Sequence, residues 1–550
     1  RKKFMIDVSA IGLPSMNVVT WVLALFPIVL ILVLMLAFKV SGARSGVIAW
    51  VLTAVIVYFV FHGGPVVIGA GTVKGLWSTV TVLYIIWTSM FLYNVVNETG
   101  SFKVIAAKFT EMTNGNRILQ LLILGWAFPT FIQGVCGFGV PVAVATPLLI
   151  GLGFDPLVSV ITALLGHSWG IAYGSLGSMY GALTGNSEFC KASVENTAAV
   201  SFWGAIFCVV GCLVVGFCIL HNYGSKVTKT VGKTMAEGAI AVVFLTAVMG
   251  ATLIGVQFAA PYLGCFAAGA VGLVLGVVVL PKLPAYKPAA DAEAGETTSW
   301  GEFLKCFSAY LILVVVVCFC MLVNPVKNAL NSIITIGLNF EANQLGGGLT
   351  FGNAAAAPYS GIKLFTAPGT LILMSTVIAI IFYKSQGMLP EGAIGTAWQK
   401  TIKQSIGSTT TVIPMTMMAV LMTEAGLTKY IAYGIANVVG NFYPIFAPFI
   451  ALLGGYVTSS GTSSNILFTG LQDNVATVLG ISVPIILAAQ TAEAALSNSF
   501  SPGNASLGTG VSGQSGREGE ILAVTGVYNC IQAGTLGILA YVLIAMGMGM

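Results

Sequence analysis

Two stretches of this 550-residue chain put glycine breaks and polar side chains inside long apolar runs. The first, Thr130–Pro141, reads TFIQGVCGFGVP. Gly134, Gly137 and Gly139 remove side chains around Phe138, and Pro141 suits the first turn of a new helix. A helix that starts at membrane depth presents unpaired N–H groups and a partial positive charge, which is chemistry for holding an anion. Gln133 beside the break adds an amide. The second stretch, Thr458–Asn465, reads TSSGTSSN. Ser460, Thr462, Ser463, Ser464 and Asn465 belong to a run whose hydroxyls and amide suit helix caps, a carboxylate or a dehydrated cation. The competing readings are close helix packing through small residues for the first stretch and an exposed polar loop for the second. Gln133 favours a site in the first, and the flanking apolar sequence favours one in the second.

Two ionisable groups lie in similarly apolar surroundings. His167 and Ser168 stand in GHSWG, and His167 is one of only three histidines. Glu493 stands in QTAEAALSNSFSP. An ionisable side chain within a membrane is costly and commonly faces an interior cavity. Both are candidates for carrying a coupling proton, against a packing histidine and an interfacial glutamate. Gln133 cannot titrate. Asp473 reads as a weaker candidate near a surface, and Arg517, flanked by Glu518 and Glu520, as a self-neutralised interfacial cluster. There is no G-x-S-x-G, HExxH or Walker lysine, so no enzyme site is expected. No cysteine pair has zinc-like spacing beside a histidine, so neither metal nor other cofactor is expected.

The elements that position these groups follow from composition. Hydrophobic residues make up 57% of the chain and charged residues only 7%. Soluble domains run near 45–50% apolar and about 25% charged. Soluble and disordered chains are excluded, and a net charge of +5 with no basic aromatic patch gives no support to nucleic-acid binding. The expectation is an all-α, multi-pass membrane protein with roughly sixteen apolar segments, of which some are too short to span. These include Ile118–Gln133, Val140–Gly151, Leu157–Tyr173, Ile431–Val457 and Asn465–Leu479. Val140–Gly151 and Asn465–Leu479 are short and glycine-bounded, like half-helices or re-entrant arms, and paired broken segments are the best sequence pointer to a transport site. Lys74 is expected in the loop between the second and third spans, and Lys103, Lys108 and Arg117 in the loop after the third.

One polar linker, 281–302, divides the chain. It separates an N-terminal membrane repeat, 1–280, with a broken arm at about 130–156, from a C-terminal repeat, 303–550, with a broken arm at about 456–482. The physics reaches a secondary carrier for a small anion, with an uncoupled anion channel as competitor. The arms are expected to converge near the bilayer midplane.

The same residues resemble the L-lactate permease family. The family's first arm is similar to FIQGVCGFGVPVA (Phe131–Ala143), followed by GLGFDPL (Gly151–Leu157). Its second arm is similar to GTSSNILFTGLQ (Gly461–Gln472), and its late motifs to Ser501-Pro502 and Gly516–Glu520. The resemblance implies proton symport of a small monocarboxylate such as lactate, glycolate or a related 2-hydroxy acid across the inner (cytoplasmic) membrane, with sodium coupling as the alternative. It also implies two inverted repeats with re-entrant hairpins, an elevator-type carrier, and often a homodimer. This chain departs from the family in five places: Gln133 replaces a glutamate, Gly461 an aspartate, Asn498 a lysine, Glu493 a small residue, and GHSWG around His167 an N-T-A-P-like stretch.

Overall fold

Long apolar stretches become helices here because a backbone in hydrocarbon must satisfy its own hydrogen bonds. The computed structural model describes residues 13–38, 40–135, 139–258, 261–286, 298–340 and 356–549. The first half contains α1 (Val18–Leu36), α2 (Gly42–Phe59), α3 (Pro65–Glu98), α4 (Ser101–Met112), α5 (Arg117–Leu122), α6 (Phe128–Val135), α7 (Val140–Gly151) and α8 (Pro156–Ser168). It continues through α9 (Ser178–Asn186), α10 (Glu188–Ala192), α11 (Val194–Tyr223), α12 (Val231–Gln257) and α13 (Gly264–Val279). The second half contains α14 (Trp300–Leu322), α15 (Asn324–Ile333), strands β1 (Thr335–Phe340) and β2 (Ala356–Lys363), α16 (Pro368–Ser385), α17 (Ala393–Glu424) and α18 (Leu427–Val439). It ends with α19 (Tyr443–Thr458), α20 (Gly461–Leu479), α21 (Val483–Leu496), α22 (Pro502–Val511) and α23 (Glu518–Ala545).

Starts and stops are written locally. Asp155 accepts hydrogen bonds from the Leu157 and Val158 N–H groups and Pro156 follows it, so α8 begins there. Ser482 and Ser501 cap α21 and α22 in the same way, each with a proline in the first turn. The Ile431–Val457 segment is two helices rather than one, because Gly440 adopts φ 50° and breaks the run between α18 and α19.

The fold is mostly helical, as expected, with one antiparallel strand pair, β1 and β2. Of the described helices, five are long and apolar enough to cross a membrane, namely Val194–Thr228, Val231–Gln257, Pro261–Lys282, Trp300–Met321 and Glu518–Ala545. Several other apolar segments are shorter helices, including Val140–Gly151 and Pro156–Ser168, in keeping with the expectation that some are too short to span. Lys74 is not in a loop: it lies within α3, only 3% exposed, and pairs with Glu424 of α17 at 2.8 Å. Part of the 281–302 linker is also structured. The buried Tyr286 hydroxyl donates to Glu237 O, and α14 begins at Trp300.

The scaffold is the pair α3 and α17, which run antiparallel. Lys74 meets Glu424, the Trp87 indole N–H donates to Thr409, and Asn94 donates to Thr401. Gly75 permits the approach: a Cβ there would stand 2.5 Å from the Met417 Cα. α7 packs on α3 and α22 on α17, which brings the broken elements of both halves against this pair. The order of elements is also similar in the two halves. A long helix (α3, α17) is followed by a shorter one (α4, α18), a two-armed hairpin (α5–α7, α19–α20) and an interrupted helix (α8–α9, α21–α22).

Candidate functional site

The hairpins are fastened internally and to their neighbours by buried polar contacts, each worth about 0.5–1.5 kcal/mol net. In the first, α5 and α6 are joined through a π-helical segment, Ile123–Ala127, all buried. Such segments are frequent at functional sites. The Arg117 guanidinium donates to Leu152 O and Gly153 O, tying the start of one arm to the end of the other. The Trp169 indole N–H donates to the Thr130 hydroxyl, joining this hairpin to the end of α8. In the second hairpin, the Ser464 hydroxyl donates to Ala451 O and the Gln472 amide to Ala447 O. Gln472 also donates to Gln490 of α21, and Asn465 donates to Thr491.

Four interruptions of the chain meet at one cavity. It is lined by Gln133 and Gly139 from the first hairpin and by His167, Ile171 and Ser175 from the break after α8. Ser459, Ser460, Gly461 and Thr462 come from the second hairpin, and Asn498 and Asn504 from the break after α21. Its volume is about 60 Å³, room for a few waters or part of a small organic acid. α7, α20 and α22 all start at this cavity, so three positive helix ends converge on it.

The lining is strained where it is most polar. Ser175 (φ 48°) and Ser459 (φ 52°) adopt left-handed backbone, which a non-glycine residue holds only under constraint from its surroundings. The Ser459 hydroxyl accepts the Gly503 N–H at 3.2 Å, which fixes the second hairpin to the start of α22. Gln133 donates to the Ser175 hydroxyl at 3.3 Å. Asn504 donates to Asn498 O at 2.7 Å.

His167 is the one imidazole of this lining. Its Nδ1 lies 2.8 Å from Ala163 O. A carbonyl can only accept, so Nδ1 carries the hydrogen and Nε2 is the free nitrogen. The neutral ring offers Nε2 as an acceptor, and the protonated ring offers a charged donor.

Gln133, Gly139, His167, Ser460 and Thr462 thus stand together. Gly137 and Phe138 lie outside the described residues, as does the Ser463 side chain. Ser168, Ser464 and Asn465 do not line the cavity. Ser168 donates to Leu165 O, while Ser464 and Asn465 hold the hairpin to its neighbours. Glu493 is fully buried in α21, away from this lining. Asp473 is buried and accepts from the Ser187 hydroxyl and the Phe189 N–H. Arg517 makes an exposed two-point pair with Glu520. The sequence reading did not select Ile171, Ser175, Ser459, Asn498 or Asn504. The Gly-rich and Ser/Pro-rich breaks at 170–177 and 497–504 were the available signal.

Apolar helices around a polar cavity built from interrupted helices are the arrangement of a membrane-embedded transporter. The family model described as L-lactate permease matches residues 20–547, and the chain belongs to that family. The glycolate permease GlcA of Escherichia coli (strain K12) is 27% identical over 95% of this chain and 96% of its own length. The L-lactate permease of Streptococcus iniae is 27% identical over 85% of this chain and 93% of its own. The L-lactate permease of Escherichia coli (strain K12) is 25% identical over 95% and 96%. Among solved structures, the YdaH transporter of Alcanivorax borkumensis aligns over 87% of this chain and 88% of that one at 15% identity. Its TM-score of 0.31 is too low to bear on the fold.

Proposed function

We propose that the chain is a secondary carrier that moves lactate, glycolate or a related 2-hydroxy monocarboxylate across the cytoplasmic membrane by proton symport, spanning it many times. The observation that carries this reading is the convergence of four chain interruptions on one small polar cavity. Its hydroxyl and amide groups and helix N-termini are donors suited to a carboxylate, and burying an anion without donors costs several kcal/mol. The substrate's own 2-hydroxyl finds partners at Gln133, Asn498 and Asn504. Relatives named for lactate and glycolate support the substrate class.

A monovalent anion that travels with one proton moves no net charge, so one titrating group suffices. His167 in the lining and Glu493 in α21 are the candidates. Ser460, Thr462 and backbone carbonyls also suit a hard cation, which is the basis of the sodium alternative. The antiparallel α3–α17 pair and the repeated element order support two inverted repeats, with hairpins and interrupted helices moving as a block against that pair.

The test is uptake of labelled lactate, glycolate, acetate and a dicarboxylate into liposomes holding the purified protein, under imposed proton or sodium gradients. Saturable, pH-driven accumulation of the 2-hydroxy acids is expected, and His167→Ala weakens it. Accumulation that follows sodium alone overturns proton symport. Flux that merely equilibrates the substrate and carries current identifies a channel.

A further inference from the structure

α21 and α23 pack antiparallel, and two hydrogen bonds fix their register. The Ser482 hydroxyl donates to Gly549 O at 2.7 Å at one end, and Asn529 donates to the Ser499 hydroxyl at 2.8 Å at the other. Between them lie buried polar atoms with no hydrogen-bond partner among the described residues: both oxygens of Glu493, both amide atoms of Gln532 and the Asn529 carbonyl oxygen. Glu493, Gln532 and Asn529 are each 0% exposed.

The length between these two contact points is a buried layer that holds Glu493 on α21 and Asn529 and Gln532 on α23. The Glu493 carboxyl and the Gln532 amide make no hydrogen bond to each other.

The other titratable groups on three of the helices packed against α21 are Glu195, Cys208, Cys212, Cys218, His221 and Tyr223 of α11, Tyr443 and Tyr456 of α19, and Glu518, Glu520, Tyr528, Cys530 and Tyr541 of α23. His167 ends α8, Tyr180 lies on α9, and Asp473 of α20 is held by Ser187 and Phe189. His221 of α11 is bonded to Tyr528 of α23. None of these offers Glu493 a salt bridge. An ionised carboxylate in this layer would stand without counter-charge or donor, so Glu493 holds its hydrogen in this conformation.

We propose that Glu493 is the proton-binding site of the carrier, separate from the substrate cavity. It is linked to the cavity through the chain break after α21, where Asn498, five residues on, is part of the lining. The proton binds the carboxylate when the layer is open to water and leaves it when the layer opens on the other side. This rests on the carrier reading above and assigns the coupling proton to Glu493 rather than His167.

The experiment compares two modes in liposomes. Equilibrium exchange of labelled for unlabelled lactate needs substrate binding and movement but no net proton release. Accumulation driven by a pH gradient needs both. Glu493→Gln, the neutral isostere, is expected to keep exchange within about twofold of wild type and to lose accumulation entirely, with Glu493→Asp restoring part of it. Full accumulation by Glu493→Gln overturns the proposal, as does loss of exchange in a protein that is still folded. If that variant fails to fold, dicyclohexylcarbodiimide, which modifies protonated buried carboxyls, is applied to the wild-type protein. Modification at Glu493 that blocks accumulation supports the proposal, and its absence overturns it. A wild-type protein that exchanges neither lactate nor glycolate refutes the carrier reading instead.

Discussion

The ion pair between α3 and α17 gives the sharpest test of how this scaffold holds together. Lys74 Nζ and Glu424 Oε2 lie 2.8 Å apart, each side chain 3% exposed, on residues 350 apart in sequence. The ammonium also stands 5.0 Å from the Tyr359 ring centroid and 5.3 Å from that of Phe340. At an effective dielectric near 20, Coulomb's law gives about 6 kcal/mol for this separation, most of which offsets the removal of both ions from water. The pair is therefore worth little net, but either charge alone is costly. Lys74→Met or Glu424→Gln is expected to cost about 3–5 kcal/mol, and Lys74→Met combined with Glu424→Leu far less. Unfolding of each variant in mixed detergent micelles, read as a double-mutant cycle, gives the coupling. Single variants within about 0.5 kcal/mol of wild type, or a double variant whose loss is the simple sum, would falsify the view that these charges hold each other in place.

Three further outcomes follow from particular contacts. A Cβ at Gly134 would stand 2.3 Å from the Phe266 Cα, so Gly134→Ala is expected to push α6 off α13 and cost about 1–3 kcal/mol, measured by thermal melting; Gly181→Ala, with nothing within 4 Å, serves as the tolerated control. Gly139 holds φ 86° beneath a Leu507 methyl, so Gly139→Ala is expected to distort the start of α7 and abolish labelled-lactate uptake while folded protein is still recovered. The Arg517–Glu520 pair is 44% and 56% exposed, and Arg517→Gln is expected to change stability by less than about 1 kcal/mol in the same melting assay.

The sequence alone determined the membrane class, because hydropathy is a sum over residues and needs no partner. It also located the two hairpin breaks. The glycine run before Pro141 marks the start of α7, which spans Val140–Gly151 as expected, and the hydroxyl run at 458–465 holds the short break at Ser459 and Ser460 between α19 and α20. Family motifs around those breaks carried the assignment further than physics could. What the sequence did not disclose depends on contacts between distant residues. Lys74 reads as a loop cation until Glu424 is brought beside it. Ser168, Ser464 and Asn465 sit in the same motifs as lining residues, and only the structure shows them bonded to Leu165, Ala451 and Thr491 outside the lining. Ser175, Asn498 and Asn504 carry weak local signals and gain meaning only because their chain breaks face the same cavity as the hairpins. A local pattern shows where a helix must stop. Only the tertiary packing of α3 against α17, and of α7 and α22 against that pair, decides which stops meet.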